Sequence, residues 1–257
     1  MASNEMSVVD HLNELRKRII ICLVSISFVA VVIYAKVYYL INILMKPIAK
    51  FNLTLVYFKL TEGFVTRLEV SLIAALIITS PIIIFETMAF IRVGLKKSEK
   101  KFLYKNTFIL SILFIFGTVF GYVMILPYSL EFLISYGVSY LNPVLNGNTY
   151  FSFIGIFCLF MGIVFLIPYI LVILGKLSLL SSKILRRKQI PFIIGVLMIE
   201  GLLLPSADFF TFMVVAAPIL LMYEISIWII FFSERRKRRK NNVSSSARKG
   251  FKFFRRK

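Results

Sequence analysis

His11-Leu12-Asn13-Glu14-Leu15-Arg16-Lys17-Arg18 runs directly into the apolar stretch from Ile19 to Ile41. A helix crossing the hydrocarbon of a bilayer needs about 20 apolar residues, and Lys and Arg in a short flank hold that flank in the cytoplasm. The three basic residues are enough to set the topology. The carboxylate of Glu14, placed among them, asks for another explanation.

Five more apolar stretches follow: Leu68 to Ile91, Phe108 to Leu126, Phe151 to Leu174, Pro191 to Leu204 and Phe209 to Phe231. Hydrophobic residues make up 59% of the 257 and charged residues only 17%, well below an ordinary soluble domain. The fold class read from this is all-α, a polytopic membrane protein with six transmembrane helices and both termini cytoplasmic. Span five, at about 14 residues, covers roughly 21 Å of a core about 30 Å thick, so local thinning of the bilayer is expected. Glu5, Asp10 and Glu14 precede the first run and no small-residue cleavage site closes it, so it is expected to stay as a helix.

Charge supports that topology. Three basic residues precede span one, six lie between spans two and three, five between four and five, and twelve follow span six; the other side has only Lys36, Lys46, Lys50, Lys59 and Arg67. The net charge of +19 therefore lines the spans and does not make a nucleic-acid face. Residues 1–232 form the membrane domain. Residues 233–257 carry the twelve basic residues with Glu234 and the run Ser244-Ser245-Ser246, and are expected to be a disordered polybasic tail lying on anionic lipid.

Two outer segments, Asn42 to Thr66 with Pro47 and Pro127 to Tyr150, are apolar and aromatic enough to be caps or short interfacial helices. The last outer turn, Pro205-Ser206-Ala207-Asp208, is tight, and there is no internal repeat of the two-halved transporter kind. Enzymatic chemistry is poorly provisioned: one histidine, His11, no phosphate loop and no cluster with metal-ligand spacing, so neither catalysis, a metal nor another cofactor is expected. Cys22 and Cys158 lie in apolar runs as packing residues.

Glu14 precedes Lys17 and Arg18 by three and four residues, a spacing for local ion pairs worth a few tenths of a kcal/mol on a helix. Glu99, among Lys96, Lys97, Lys100 and Lys101 in the next cytoplasmic loop, repeats the pattern of one acid in a basic rim. The other reading is a docking place for a cationic group, because a guanidinium meets a carboxylate through two parallel hydrogen bonds. Glu69 and Glu86 lie near the ends of span two, within reach of water. Gly117 and Gly121 permit close helix approach, within the chain or in an oligomer. Pro81, Pro168 and Pro218 mark kinks.

The run His11 to Arg18 resembles the N-terminal signature of TatC, the signal-recognition core of the twin-arginine protein translocase. Pro47 stands at that family's first-loop proline, Thr61-Glu62-Gly63-Phe64 is similar to its approach to span two, and Phe90, Gly94-Leu95 and Glu99 match the loop after it. Asp208, Pro218 and Glu224 match its sixth span and preceding turn, so the resemblance extends from His11 to about Phe231. It implies signal-peptide binding by Glu14, Glu99, Arg16 and Phe90, structural loop roles for Pro47 and Asp208, and an oligomeric translocase for folded proteins driven by the proton-motive force. The implied partners are twin-arginine signal peptides and small single-span subunits of the TatA and TatB type. The implied location is the cell inner membrane, or an organellar one.

This chain departs from the family at Gly63, which stands for a proline, and at Glu86, Met88 and Val93, which stand for glutamine, tryptophan and proline. Leu166 stands where the family commonly has a glutamate. Glu200 in span five lies at nearly the same depth, roughly 14 Å against roughly 12 Å, so it is expected either to reach water or to supply the contact to a partner's membrane helix instead. A solute or ion transporter whose intramembrane carboxylates line a pathway is the competing function.

Overall fold

In the computed structural model, which describes residues 8–51, 53–93, 97–138, 144–177, 179–203, 213 and 216–236, the first apolar run is split. Helix α1 spans Val8–Ala35, the chain turns at Lys36, and α2 takes Val37–Leu44. Lys36 is the one charge in that run, and breaking the helix there spares an ammonium from being carried in an apolar segment. Leu40, Ile41 and Leu44 of α2 then pack on a cluster containing Tyr150, Phe151 and Ile154, and Pro47 is buried in the turn that follows.

Helix α3, Glu62–Val93, and helix α6, Gly147–Lys176, are the longest, and α4, Lys97–Phe120, packs against both. Helix α1 lies chiefly on α3. Beyond α6 come the short α7, Ser182–Arg187, then α8, Gln189–Leu203, and α9, Ala216–Arg236. Five helices are long and apolar enough to cross a membrane, and α8, at 15 residues or roughly 22 Å, is the short sixth apolar helix.

Three further expectations change. The third apolar run does not stop at Leu126: α4 passes through a π-turn at Gly121–Ile125 into α5, Leu126–Val138. Pro127 lies in the first turn of α5, and the wider turn before it, closed by the Leu126 N–H donating to the Gly121 carbonyl, accommodates the clash that a proline makes with the preceding turn. Glu99, expected in a loop, stands in the first turns of α4. The outer segments also carry two short strands, β1 (Leu55–Val56) and β2 (Leu145–Asn146), paired parallel with Leu55 opposite Leu145 and Val56 opposite Asn146.

Close packing at the centre depends on glycine. A Cβ on Gly117 would lie 2.7 Å from Phe165 Cβ and 2.8 Å from the Met161 carbonyl, and one on Gly121 would lie 2.8 Å from Met161. The Gly117 and Gly121 pair therefore serves intrachain packing of α4 on α6.

Candidate functional site

Two layers of side chains join α1 to α3 at the end bearing the basic flank. In one, the His11 ring stacks on Phe90 with centroids 4.5 Å apart and planes 26° from parallel. In the other, one turn along α3, the Arg18 guanidinium bridges two carboxylates: Nη1 donates to Glu86 Oε2 at 2.6 Å and Nη2 donates to Glu14 Oε1. Glu14 and Arg18 are one helical turn apart on α1, the predicted local pair. Glu86 comes from the opposing helix.

Water access at Glu86 does not hold. Its side chain is only 10% exposed, against 18% for Arg18 and 27% for Glu14, because α1 lies over it. Removing charges from water is costly and is offset only by good geometry, which a guanidinium shared between two carboxylates provides. Arg18 Nε remains buried without a partner among the described residues. Two carboxylates face one guanidinium, so the group as a whole has one negative charge in excess.

Arg16 is exposed beside this junction. Helix α4 carries Glu99 and α8 carries Glu200, at the level of backbone only. Asp208, Gly94-Leu95 and most of the basic tail, residues 237–257, lie outside the described residues. Leu166 packs among Ile84, Leu110 and Phe114 of α3 and α4, whereas Phe192 and Val196 of α8 join a cluster of Val164 and Phe165 of α6 with Ile219 of α9. Leu166 and the described side chains of α8 thus belong to separate apolar clusters. Leu166 lines an apolar cleft of about 350 Å³ with Ile84, Phe114 and Ser80, whose hydroxyl is buried without a partner among the described residues.

Several polar links had no readable signal in the sequence. Glu62 Oε2 accepts from Asn146 Nδ2 at 2.8 Å and from the Phe58 N–H at 2.9 Å, joining the two outer segments beside the β1–β2 pair. Asn146 also caps α6 by accepting from the Thr149 N–H. Tyr122 and Tyr150 donate to the Ile43 and Leu44 carbonyls at 2.6 and 2.8 Å, tying the open end of α2 to the bundle. Gln189 of α8 donates to Glu224, and Ser226 donates to the Pro168 carbonyl at 2.9 Å.

The model of the family "Sec-independent protein translocase protein (TatC)" matches residues 10–218, a range that contains the whole α1–α3 junction. A protein of that name from Carboxydothermus hydrogenoformans is 33% identical over 229 residues, covering 89% of this chain and 94% of the relative. A chloroplastic Sec-independent protein translocase protein TATC from Pisum sativum is 32% identical over 226 residues, 88% of this chain and 64% of its own length. The crystal structure of the twin arginine translocase receptor TatC in DDM superposes with a TM-score of 0.73 at 30% identity, covering 85% of this chain and 98% of that one. Matched in sequence along most of its length and in the arrangement of its helices, this multi-pass membrane protein belongs to the TatC family of the Sec-independent protein translocase.

Proposed function

We propose that the chain recognises twin-arginine signal peptides at the cytoplasmic end of α1 and α3 and assembles with small single-span subunits into a translocase for folded proteins. The observation that supports this best is the excess negative charge of Glu14, Arg18 and Glu86 inside an otherwise basic rim. A neutral Glu14–Arg18 pair would have little to offer an incoming cation. Glu86 supplies the second charge, so that Arg18 keeps a partner when Glu14 turns to a guanidinium of the peptide. Glu99, in the first turns of α4, receives the second arginine, and His11 on Phe90 forms an aromatic floor beside them. The basic asymmetry supports a cytoplasmic location for both termini.

Partner membrane helices are received elsewhere, in the cleft lined by Leu166 and Ser80 or at Glu200 on α8. Among the described residues, no carboxylate lines the apolar cavities of about 230 and 350 Å³, so these lend the transporter alternative no support. The test is binding of an Arg-Arg and a Lys-Lys peptide to the purified chain. Glu14→Gln with Glu99→Gln is expected to lower Arg-Arg affinity by tenfold or more and to abolish the preference over Lys-Lys, at about 1.4 kcal/mol per tenfold. Unchanged affinity and preference in that double variant would sink the reading.

A further inference from the structure

A second charged site lies at the end of α9, on no residue used above for peptide recognition. Ser182, Lys183 and Arg186 of α7 and Phe231, Glu234 and Arg235 of α9 enclose a cavity of about 360 Å³. Its single carboxylate is committed: Glu234 Oε1 accepts from the Ser182 N–H at 2.9 Å and Oε2 from the Ser182 hydroxyl at 2.6 Å. That link fixes α7 against α9. It leaves Lys183, Arg186 and Arg235 exposed and without a carboxylate partner among the described residues.

The two guanidinium groups are held in place by rings. Arg235 lies 4.5 Å from the centroid of Phe231, and Arg186 lies 5.7 Å from the centroids of both Phe231 and Trp228. Stacking on an aromatic face fixes a guanidinium plane while leaving its N–H edge free to bond. Lys183 is one turn before Arg186, on the same side of α7. Three cations converge on a space large enough for a headgroup, and planar guanidinium edges match the oxygens of a phosphate.

The level of the cavity identifies the source of that phosphate. Trp228 and Phe232, about half exposed, stack with centroids 5.9 Å apart in the last turns of a membrane helix, and Arg235 and Arg236 end it. Tryptophan beside terminal arginines is the signature of the membrane–water interface, where basic pockets between helices hold anionic headgroups. We propose that Lys183, Arg186 and Arg235 form a specific site for the phosphate of an anionic phospholipid, separate from the polybasic tail. The site fixes the α7–α9 corner of the bundle to the leaflet on its basic side, and it stands whether or not the α1–α3 junction binds a signal peptide.

The experiment is native mass spectrometry of the full chain in detergent, titrated with phosphatidylglycerol or phosphatidylcholine. The parent is expected to keep one phosphatidylglycerol with at least about tenfold preference. The triple variant K183Q/R186Q/R235Q is expected to lose most of that preference. The milder pair R186K/R235K keeps the charge but loses the planar stacking, and is expected to lose part of it, which provides a reading if the triple variant does not fold. Removal of residues 241–257 is expected to leave the preference intact. The proposal is overturned if both substituted forms match the parent, or if tail removal alone abolishes the preference. Displacement of the lipid by inorganic phosphate at matched concentration would instead show a soluble-anion site and overturn the lipid assignment.

Discussion

Helices α1 and α6 are both long and apolar, yet they are covered to very different extents. No described side chain of α1 is buried, and Val24, Phe28 and Val31 are more than half exposed. Its polar attachment is concentrated at one end, in the Arg18 bridge and the His11–Phe90 stack, while a stripe of half-buried side chains, Cys22, Ile26, Val29 and Ile33 among them, runs along the rest of the helix, which lies chiefly on α3. Helix α6 is buried along much of its length, with Gly155, Gly162 and Gly175 each admitting a neighbouring side chain to a distance that a Cβ would forbid. In lipid there is no hydrophobic drive between helices, so contact must come either from close van der Waals fit or from polar links. Helix α6 uses the first on several sides at once, whereas α1 packs on α3 along one stripe and adds the second at its basic end. A helix whose polar link lies at one end has its charge-sensitive contact there.

The largest effect is expected where that polar link is cut. Arg18→Met leaves Glu14 and Glu86 facing each other at a half-covered junction, a change that costs about 3–5 kcal/mol when a buried pair loses one partner. A lower thermal midpoint in detergent and faster proteolysis of α1 are the expected readings, and adding Glu14→Gln and Glu86→Gln should recover most of the loss. An unchanged midpoint for Arg18→Met alone would show that α1 is held by something other than its charges.

On α6 the corresponding break is steric. A Cβ at Gly162 would lie 2.6 Å from Thr118 Oγ1 and 2.7 Å from Phe114, so Gly162→Leu is expected to cost about 1–3 kcal/mol by overpacking. Gly195→Leu on α8, where a Cβ meets nothing within 4 Å among the described residues, is the matched control and should be close to neutral. Equal losses from the two would erase the contrast between packed and open helix faces.

Smaller effects sharpen the comparison. Tyr150→Phe removes the hydroxyl that serves the Leu44 carbonyl and is expected to cost about 1 kcal/mol, read as earlier hydrogen exchange in α2. Phe28→Ala on the open face of α1, 71% exposed, should change stability by less than about 0.5 kcal/mol. A loss for Phe28→Ala as large as that for Gly162→Leu would mean that α1 is covered by a neighbour in the assembly.

The helical fold was legible because apolar runs and the side of each basic residue are local properties, and they survive whatever the chain does in three dimensions. The Glu14–Arg18 half of the site was legible for the same reason, since four residues on one helix set that contact. Glu86 was not: its partner is 68 positions away, and only the packing of α1 on α3 turns a water-accessible carboxylate into a covered one. The link between Glu62 and Asn146, 84 positions apart, escaped notice in the same way. The break at Lys36 had a local signal, the single charge in its run, but one lysine near a helix end can equally extend to the interface, so the charge alone does not mark a turn. The continuation through Pro127 needed a π-turn, which leaves no pattern in composition.

That π-turn also marks where the chain can change length. Each residue advances an α-helix by about 100°, so deleting one from α3 or α6 would rotate everything beyond it away from its contacts. The turn at Gly121–Ile125 already stores one residue more than a regular helix needs between α4 and α5. Deleting one residue there should close the ladder into plain α-helix while both flanks keep their faces. Among homologues, single-residue gaps in this part of an alignment are thus expected to be tolerated, with a proline at the next turn absent from the shorter forms.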